Sequence, residues 1–226
     1  YNAAKHISTV VSKIPEYVNS VIIVNDKSPE KLPKSEVLEK IDSNISCIFL
    51  ENDVNLGVGG ATKKGFQYAF LNEFDIVIKI DADNQMDLKY LPSLLNAIIF
   101  ENVDGAKGNR FRDMKALRQM PIVRRFGNLG LSFLIKTATG YWNNFDPTNG
   151  YFALKTTLLE NLDYSNLSNR YYFETSLLGE LYFQKAKIKD IPMPAIYGDE
   201  KSSMEIWKMP FVFAPKLGKT FTKRIL

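Results

Sequence analysis

The sequence predicts an α/β fold: one Rossmann-like domain with a mostly parallel central sheet flanked by helices. Three observations predict it. Short apolar, β-branched runs alternate with helical patterns, each of the first three runs ends in acids or amides, and 226 residues at 45% hydrophobic content suffice for one substantial core.

The runs come in order. Val21–Val24 ends at Asn25-Asp26, Cys47–Leu50 at Glu51-Asn52-Asp53, and Ile76–Ile80 at Asp81. Helical patterns fill the gaps over Ala3–Ile14, Ala61–Leu71 and Leu88–Phe100, the last with Asp87 as its N-cap. Strand–helix alternation of this kind builds parallel sheets, and ligands of such sheets bind beyond the carboxyl ends of the strands. The second half adds a strand at Val103–Lys107, a helical run over Phe126–Thr137, a strand near Tyr151–Leu154, a helix near Phe173–Lys185 and a short strand at Ile188–Ile191. With no repeat, low-complexity tract or clean linker, this half is expected to complete the same domain over residues 1–200. Residues 201–226 read as a basic amphipathic C-terminal segment. Tyr1-Asn2 reads as the exit from a strand that precedes the chain.

Composition narrows the chemistry. Cys47 is the only cysteine, which excludes an internal disulfide and a cysteine-based zinc site and fits a reducing compartment. His6 is the only histidine, and among Ile7, Val10, Val11 and Ile14 it reads as a surface or capping residue of the first helix. No run of about twenty apolar residues would span a bilayer, and no signal-peptide pattern is visible. The net charge of +4 is unevenly placed. From Lys201 onward Lys201, Lys208, Lys216, Lys219, Lys223 and Arg224 face a single acid, Glu205; a second basic stretch runs from Lys107 to Lys136 with Asp113 as its one acid.

Asp81-Ala82-Asp83-Asn84-Gln85 directly follows a buried strand. In extended backbone, residues two apart share a face, so Asp81, Asp83 and Gln85 can project together. Two carboxylates and an amide oxygen make an oxygen-only set suited to Mg²⁺ or Mn²⁺, with diphosphate oxygens and water completing the shell. Asp and Asn also end strands and open turns, but the strand-end position with Gln two residues on favours the metal. Asn55-Leu56-Gly57-Val58-Gly59-Gly60-Ala61 precedes a helix, where glycines admit close backbone approach and the N-terminus attracts anions. A tight turn explains the same pattern.

Together these segments resemble the family 2 glycosyltransferases, an inverting group with a glycosyltransferase A-type fold. Tyr1-Asn2 matches the end of the family's Pro-x-Tyr-Asn opening. Asn25-Asp26-Lys27-Ser28 stands where Asp-Asp-x-Ser is usual, with Asn25 departing from the pattern. Asn55-x-Gly57 with Ala61, Gly65 and Ala69 is a close match, and Asp81-Ala82-Asp83 is the metal motif. Within the family the likeness runs to the dolichyl- or polyprenyl-phosphate sugar synthases, through Gln85, Gly108-Asn109-Arg110-Phe111, Arg124-Arg125, Asp146-Pro147-Thr148-Asn149-Gly150-Tyr151 and Tyr172-Phe173-Glu174.

The resemblance implies that Tyr1, Asn2, Asp26, Asn55, Gly57 and Asp81 line the nucleotide, with Asp26 on the base or ribose. It implies that Asp83 and Gln85 ligate the metal, Asp81 standing beside the nucleotide, and that Arg110 with Arg124 or Arg125 binds the acceptor phosphate. Tyr197-Gly198-Asp199-Glu200-Lys201-Ser202-Ser203 matches the expected Arg-x-x-Gly-x-Ser-Lys only in part.

The basic stretch is sensible on its own terms, since a phosphomonoester carries about 1.5–2 negative charges and arginine forks match its oxygens. A solvated cationic helix face would look the same. A phosphate acceptor needs little help from a base, whereas a sugar hydroxyl needs a carboxylate; Glu174 is the candidate, either as that base or as a residue orienting an arginine. Phe213, Leu217, Phe221 and Ile225 recur every four residues beside Lys216, Lys219 and Lys223, as in a helix lying in a membrane interface or in a docked terminal helix, and Pro215 weakens a long continuous one.

The expectation is thus a metal-dependent, inverting glycosyltransferase. It would take a UDP- or GDP-sugar, act on a polyprenyl phosphate, work at the cytoplasmic face of a membrane and have no nucleic-acid partner. The alternatives are a family member acting on glycan hydroxyls, a sugar-phosphate nucleotidyltransferase and a non-catalytic nucleotide-binding protein.

Overall fold

In the computed structural model the description covers residues 1–112, 122–144, 146–194 and 209–225, with the side chains of 112, 122–128 and 209–212 outside it. The chain opens with helix α1 (Ala4–Val11), which buries Ile7, Val10 and Val11. Strand β1 (Ser20–Asn25), helix α2 (Lys34–Lys40), strand β2 (Ser46–Glu51) and helix α3 (Val58–Leu71) follow. β1 and β2 pair in parallel from Ser20↔Ser46 to Asn25↔Glu51, so their carboxyl ends finish side by side. Ile7, Val11, Ile23 and Val37 close this end of the core.

Strand β3 (Ile76–Lys79) leads through the motif to a 3-10 turn at Leu88–Tyr90 and helix α4 (Leu91–Phe100). Asp87 caps that turn as expected, accepting from the Lys89 amide at 3.0 Å. Next come β4 (Gly105–Asn109), helix α5 (Ile122–Thr139), β5 (Phe152–Lys155), the short helix α6 (Thr157–Glu160), helix α7 (Phe173–Phe183), β6 (Ile188–Pro192) and helix α8 (Met209–Ile225).

The second sheet has the order β3-β5-β4-β6. β4 and β6 are parallel, while β5 runs antiparallel between β3 and β4. The sheet is therefore mixed. Its centre is covered on both faces, as alternation along β5 shows: Phe152 and Leu154 pack with Phe66, Phe173, Leu177 and Leu181 of α3 and α7, whereas Tyr151 and Ala153 pack with Leu94, Ala97 and Ile98 of α4.

Helix α8 docks on α5 and α7. Phe213 and Leu217 are buried with Ile135, Ala138 and Tyr172, and Phe221 packs against the same cluster. The Phe213 and Tyr172 rings meet edge to face at 5.1 Å. Lys223 reaches Glu180 of α7 at 2.7 Å. Three members of the C-terminal apolar stripe are thus used within the protein, and Pro215 lies inside the helix. No helix among the described residues is long and apolar enough to cross a membrane.

Candidate active site

At the end of β1, Asp26 is buried and its carboxylate faces the loop that follows β2. Oδ1 accepts from Asn52 Nδ2 at 2.7 Å and from the Leu56 amide at 2.9 Å; Oδ2 accepts from the Gly57 amide at 2.6 Å. The residue expected on the base or ribose thus fixes the shape of the loop bearing Asn55 and Gly57. Asn25 Oδ1 accepts from the Ser28 amide, and Ser28 Oγ from the Asn2 amide at 3.0 Å, which brings the exposed Tyr1-Asn2 to the same strand end. Asn55 is exposed.

Gly57 has φ +89°, and a Cβ there would fall 2.7 Å from the Asn169 carbonyl oxygen, so both conformation and space demand glycine. That carbonyl accepts from the amides of Gly59 and Gly60 at 2.8 and 3.2 Å. The first turn of α3, offered by the sequence to an anion, is capped by protein backbone.

The metal motif is where β3 ends. Extended backbone stops at Lys79, and residues 82–84 turn instead of continuing straight to Gln85. Asp83 Oδ1 accepts from the Gln85 amide at 3.0 Å, an Asx turn, and Asn84 takes φ +61° while its Oδ1 accepts from Lys13 Nζ at 2.8 Å. Asp81, Asp83 and Gln85 are all partly exposed on this turn. Among the described residues no three His, Cys, Asp or Glu side chains form a metal cluster. Two carboxylates and an amide oxygen on one accessible turn nevertheless fit a hard divalent cation that takes its other ligands from water and diphosphate.

Behind the motif lies a row of charges that the sequence did not announce. Lys79, Phe152, Lys107 and Asp190 are successive cross-strand partners on β3, β5, β4 and β6. Glu174, in the first turn of α7, sits over this row. Lys79 Nζ lies 2.7 Å from Asp81 Oδ1 and 3.5 Å from Glu174 Oε1. Lys107 is buried, its Nζ has no hydrogen-bond partner among the described residues, and with Phe152, Glu174 and Leu177 it lines a cavity of about 10 Å³. That is roughly room for one water.

Burial pushes the Lys107 amine down to about 8, against the opposing pull of Asp146 and Glu174; Arg110 adds to the downward push, and Asp190 opposes it. The unfolded chain therefore holds this proton up to about pH 10.5, so stability rises with pH between these values and the charged amine is unfavourable below them. Lys107→Met is expected to add about 3 kcal/mol of stability at pH 7. The gain should shrink as pH rises from 8 towards 10.5. Denaturant titration at pH 7, 9 and 10 checks this, and a pH-independent difference would refute it.

Arg110 is held by Asp146, which is fully buried. Nε and Nη2 fork onto Oδ2 and Oδ1 at 2.7 and 2.9 Å, and the Arg110 amide donates to Oδ2 at 3.0 Å. The arginine side chain stays 39% exposed. Burial alone would raise the Asp146 carboxyl, but the Arg110 guanidinium outweighs it and holds the group below the usual carboxylate range. The neighbouring segment is fixed by Asn109, buried and bonded to Asp190 Oδ2 at 2.6 Å. Arg124 and Arg125 fall in the first turn of α5; their side chains, like the whole 197–203 segment, lie outside the described residues.

Residues 1–163 match the model of the family described as Glycosyl transferase family 2. The chain belongs to this family. It is 29% identical over 211 residues to the UDP-N-acetylglucosamine–dolichyl-phosphate N-acetylglucosaminyltransferase of Methanococcus voltae, spanning 87% of this chain and 83% of that one. It is 23% identical to the undecaprenyl-phosphate mannosyltransferase of Micrococcus luteus, over 90% of this chain and 84% of the relative. Among solved structures, Mycobacterium tuberculosis glucosyl-3-phosphoglycerate synthase, crystallised with Mn²⁺, UDP and glucosyl-3-phosphoglycerate, superposes with a TM-score of 0.69 at 17% identity. The match covers 98% of this chain and 77% of that one. At this identity the likeness shows the fold, the glycosyltransferase A-type.

In this family 2 chain, sequence reasoning missed Lys79, Lys107 and the pairing role of Asp146. Signals existed for the lysines. Each is a lone cation in or ending an apolar strand, and Lys79 stands two residues before Asp81, so the same alternation that grouped the motif places them together.

Proposed function

We propose that this glycosyltransferase moves a sugar from a nucleoside-diphosphate donor to a polyprenyl phosphate at a membrane surface, with Mg²⁺ or Mn²⁺ in the donor site. The observation that carries the proposal is Arg110, preset by buried Asp146 and still 39% exposed, together with the accessible Asp81–Gln85 turn that Lys79 ties to Glu174. An arginine preset in this way suits a phosphate.

The residues divide the work. Asp81, Asp83 and Gln85 hold the cation. When bound, it would neutralise the diphosphate leaving group as a Lewis acid. Arg110, with Arg124 or Arg125, takes the acceptor's phosphate oxygens, and an acceptor oxygen that is already anionic needs no base. Glu174, gripped by Lys79, then orients the centre instead of removing a proton. The loop pinned by Asp26 forms the wall on which the nucleotide rests. The names of the polyprenyl-phosphate-directed relatives support this acceptor class.

The surface of α5 supports a membrane-side approach. Leu129, Phe133, Leu134 and Trp142 are exposed, with the Phe133 and Trp142 rings edge to face at 6.0 Å. Exposed apolar and aromatic side chains of this kind suit a membrane interface. Residues 1–200 would be the transferase unit and residues 201–226 a basic amphipathic C-terminal segment.

The test is transfer of radiolabelled sugar from UDP- and GDP-sugars, with Mn²⁺, to vesicles containing a polyprenyl phosphate. Product is expected with one nucleotide class and is expected to vanish when the lipid is dephosphorylated. Equal transfer to a soluble glycan hydroxyl in lipid-free buffer would replace this acceptor assignment.

A further inference from the structure

Lys79 closes a strand whose other residues, Ile76, Val77 and Ile78, are apolar, and its side chain is 7% exposed. One ammonium there serves two carboxylates, Asp81 at 2.7 Å and Glu174, 95 residues away in sequence, at 3.5 Å. Gly150 makes the room. A Cβ at that position would fall 2.4 Å from Lys79 Nζ, 3.1 Å from Asp81 Oδ2 and 3.3 Å from Glu174 Oε1. The glycine therefore stands at the point where all three charged groups meet. An ammonium has three donors and no preferred plane, so it can divide itself between two acceptors.

We propose that Lys79 is a positioning residue that sets Asp81 of the metal motif against Glu174 of α7, with Glu174 sharing the charge of an ammonium that already contacts Asp81 at 2.7 Å. The inference rests on the donor-site reading above. It gives the coupling a sign. A divalent cation and the Lys79 ammonium compete for the Asp81 carboxylate. Without the Glu174 charge, Lys79 settles on Asp81 alone and metal-dependent donor binding weakens. Removing Lys79 as well removes the competitor, and binding recovers. A lysine that merely stabilised the fold would give losses that accumulate.

The experiment compares wild type, Glu174→Gln, Lys79→Met and the double variant by calorimetric titration of UDP and GDP in Mn²⁺, with denaturant unfolding of the same four proteins. Glu174→Gln is expected to weaken metal-dependent nucleotide binding about tenfold, the scale typical of groups acting behind a ligand. The double variant is expected to return to within about threefold of wild type and to be more stable than Lys79→Met, which leaves two carboxylates facing each other. Binding losses that add, or a double variant no more stable than Lys79→Met, overturn the proposal. If Lys79→Met alone does not fold, the recovery of the double variant over Glu174→Gln still decides. Wild type that binds neither nucleotide with Mn²⁺ overturns the donor-site reading, and the positioning role with it, even where the unfolding data show the two side chains coupled.

Discussion

Asp83→Ala is expected to weaken metal-dependent donor binding by about 100-fold or more while leaving the protein folded. Loss of a group behind a metal ligand already lowers metal affinity 10–100-fold, so loss of a ligand should exceed that. The fold is spared because of where Asp83 lies. It is partly exposed, on a turn beyond the last residue of β3, and the Asx-turn bond to the Gln85 amide contributes only about 0.5–1.5 kcal/mol. Calorimetric titration of UDP- and GDP-sugars with and without Mn²⁺ reads the effect, and unfolding in denaturant reads the control. Unchanged donor affinity in a folded variant would remove Asp83 from the metal site. Asp81→Ala should behave differently, since it also takes a partner from buried Lys79, so the two substitutions together separate ligation from support.

Much of the architecture was legible in the spacing of apolar runs. The strands ending at Asn25, Glu51 and Lys79 fall on short continuous apolar runs, and helices α3, α4, α5 and α7 on the longer apolar-rich segments after them. Helix α2 was not legible, since Val37 is its one buried residue, and α6, at four residues, is shorter than one period of evidence. Nor could the direction of β5 be read. Phe-Ala-Leu-Lys is buried on both faces whichever way it runs, and only its connections decide between neighbours. The C-terminal stripe shows the same limit. A four-residue apolar repeat suits a membrane or a docked helix equally, and the burial of Phe213 and Leu217 under Tyr172 is what distinguishes them.

The site divides along the same line. Asp81, Asp83 and Gln85 are contiguous, so strand geometry could group them even though the backbone turns at 82–84. Asp26 was singled out, but its bonds to Asn52, Leu56 and Gly57 span 26 to 31 residues and leave no local trace. The same holds for Lys79 with Glu174 and for Arg110 with Asp146. Pairings across a sheet are set by register, and register is a property of the assembled fold.

Asp146→Asn is expected to weaken the acceptor side of the site selectively and to lower stability by about 2–3 kcal/mol. The carboxylate accepts three hydrogen bonds from Arg110 and is fully buried, so Arg110 is its main counter-charge, with Lys107 adding to it. Breaking a buried pair usually removes about 3–5 kcal/mol. The figure is lower here because the arginine, 39% exposed, can regain water. The pH dependence provides a second mark. A carboxylate held below its unfolded pKa stabilises the protein above that pKa and loses this contribution as pH falls through the folded value. Wild type should therefore lose stability below about pH 4, whereas the asparagine variant, already lacking the contribution, should show a shallower acid limb. With its fork released, Arg110 no longer meets a phosphate pre-oriented. Acceptor affinity is expected to drop about tenfold, while donor binding, which rests on Asp81, Asp83 and Gln85 across the Lys79–Glu174 bridge, stays within about twofold. Equal losses on both sides would mean that Arg110 and the metal motif serve one ligand, and the division between donor and acceptor proposed here would have to be redrawn.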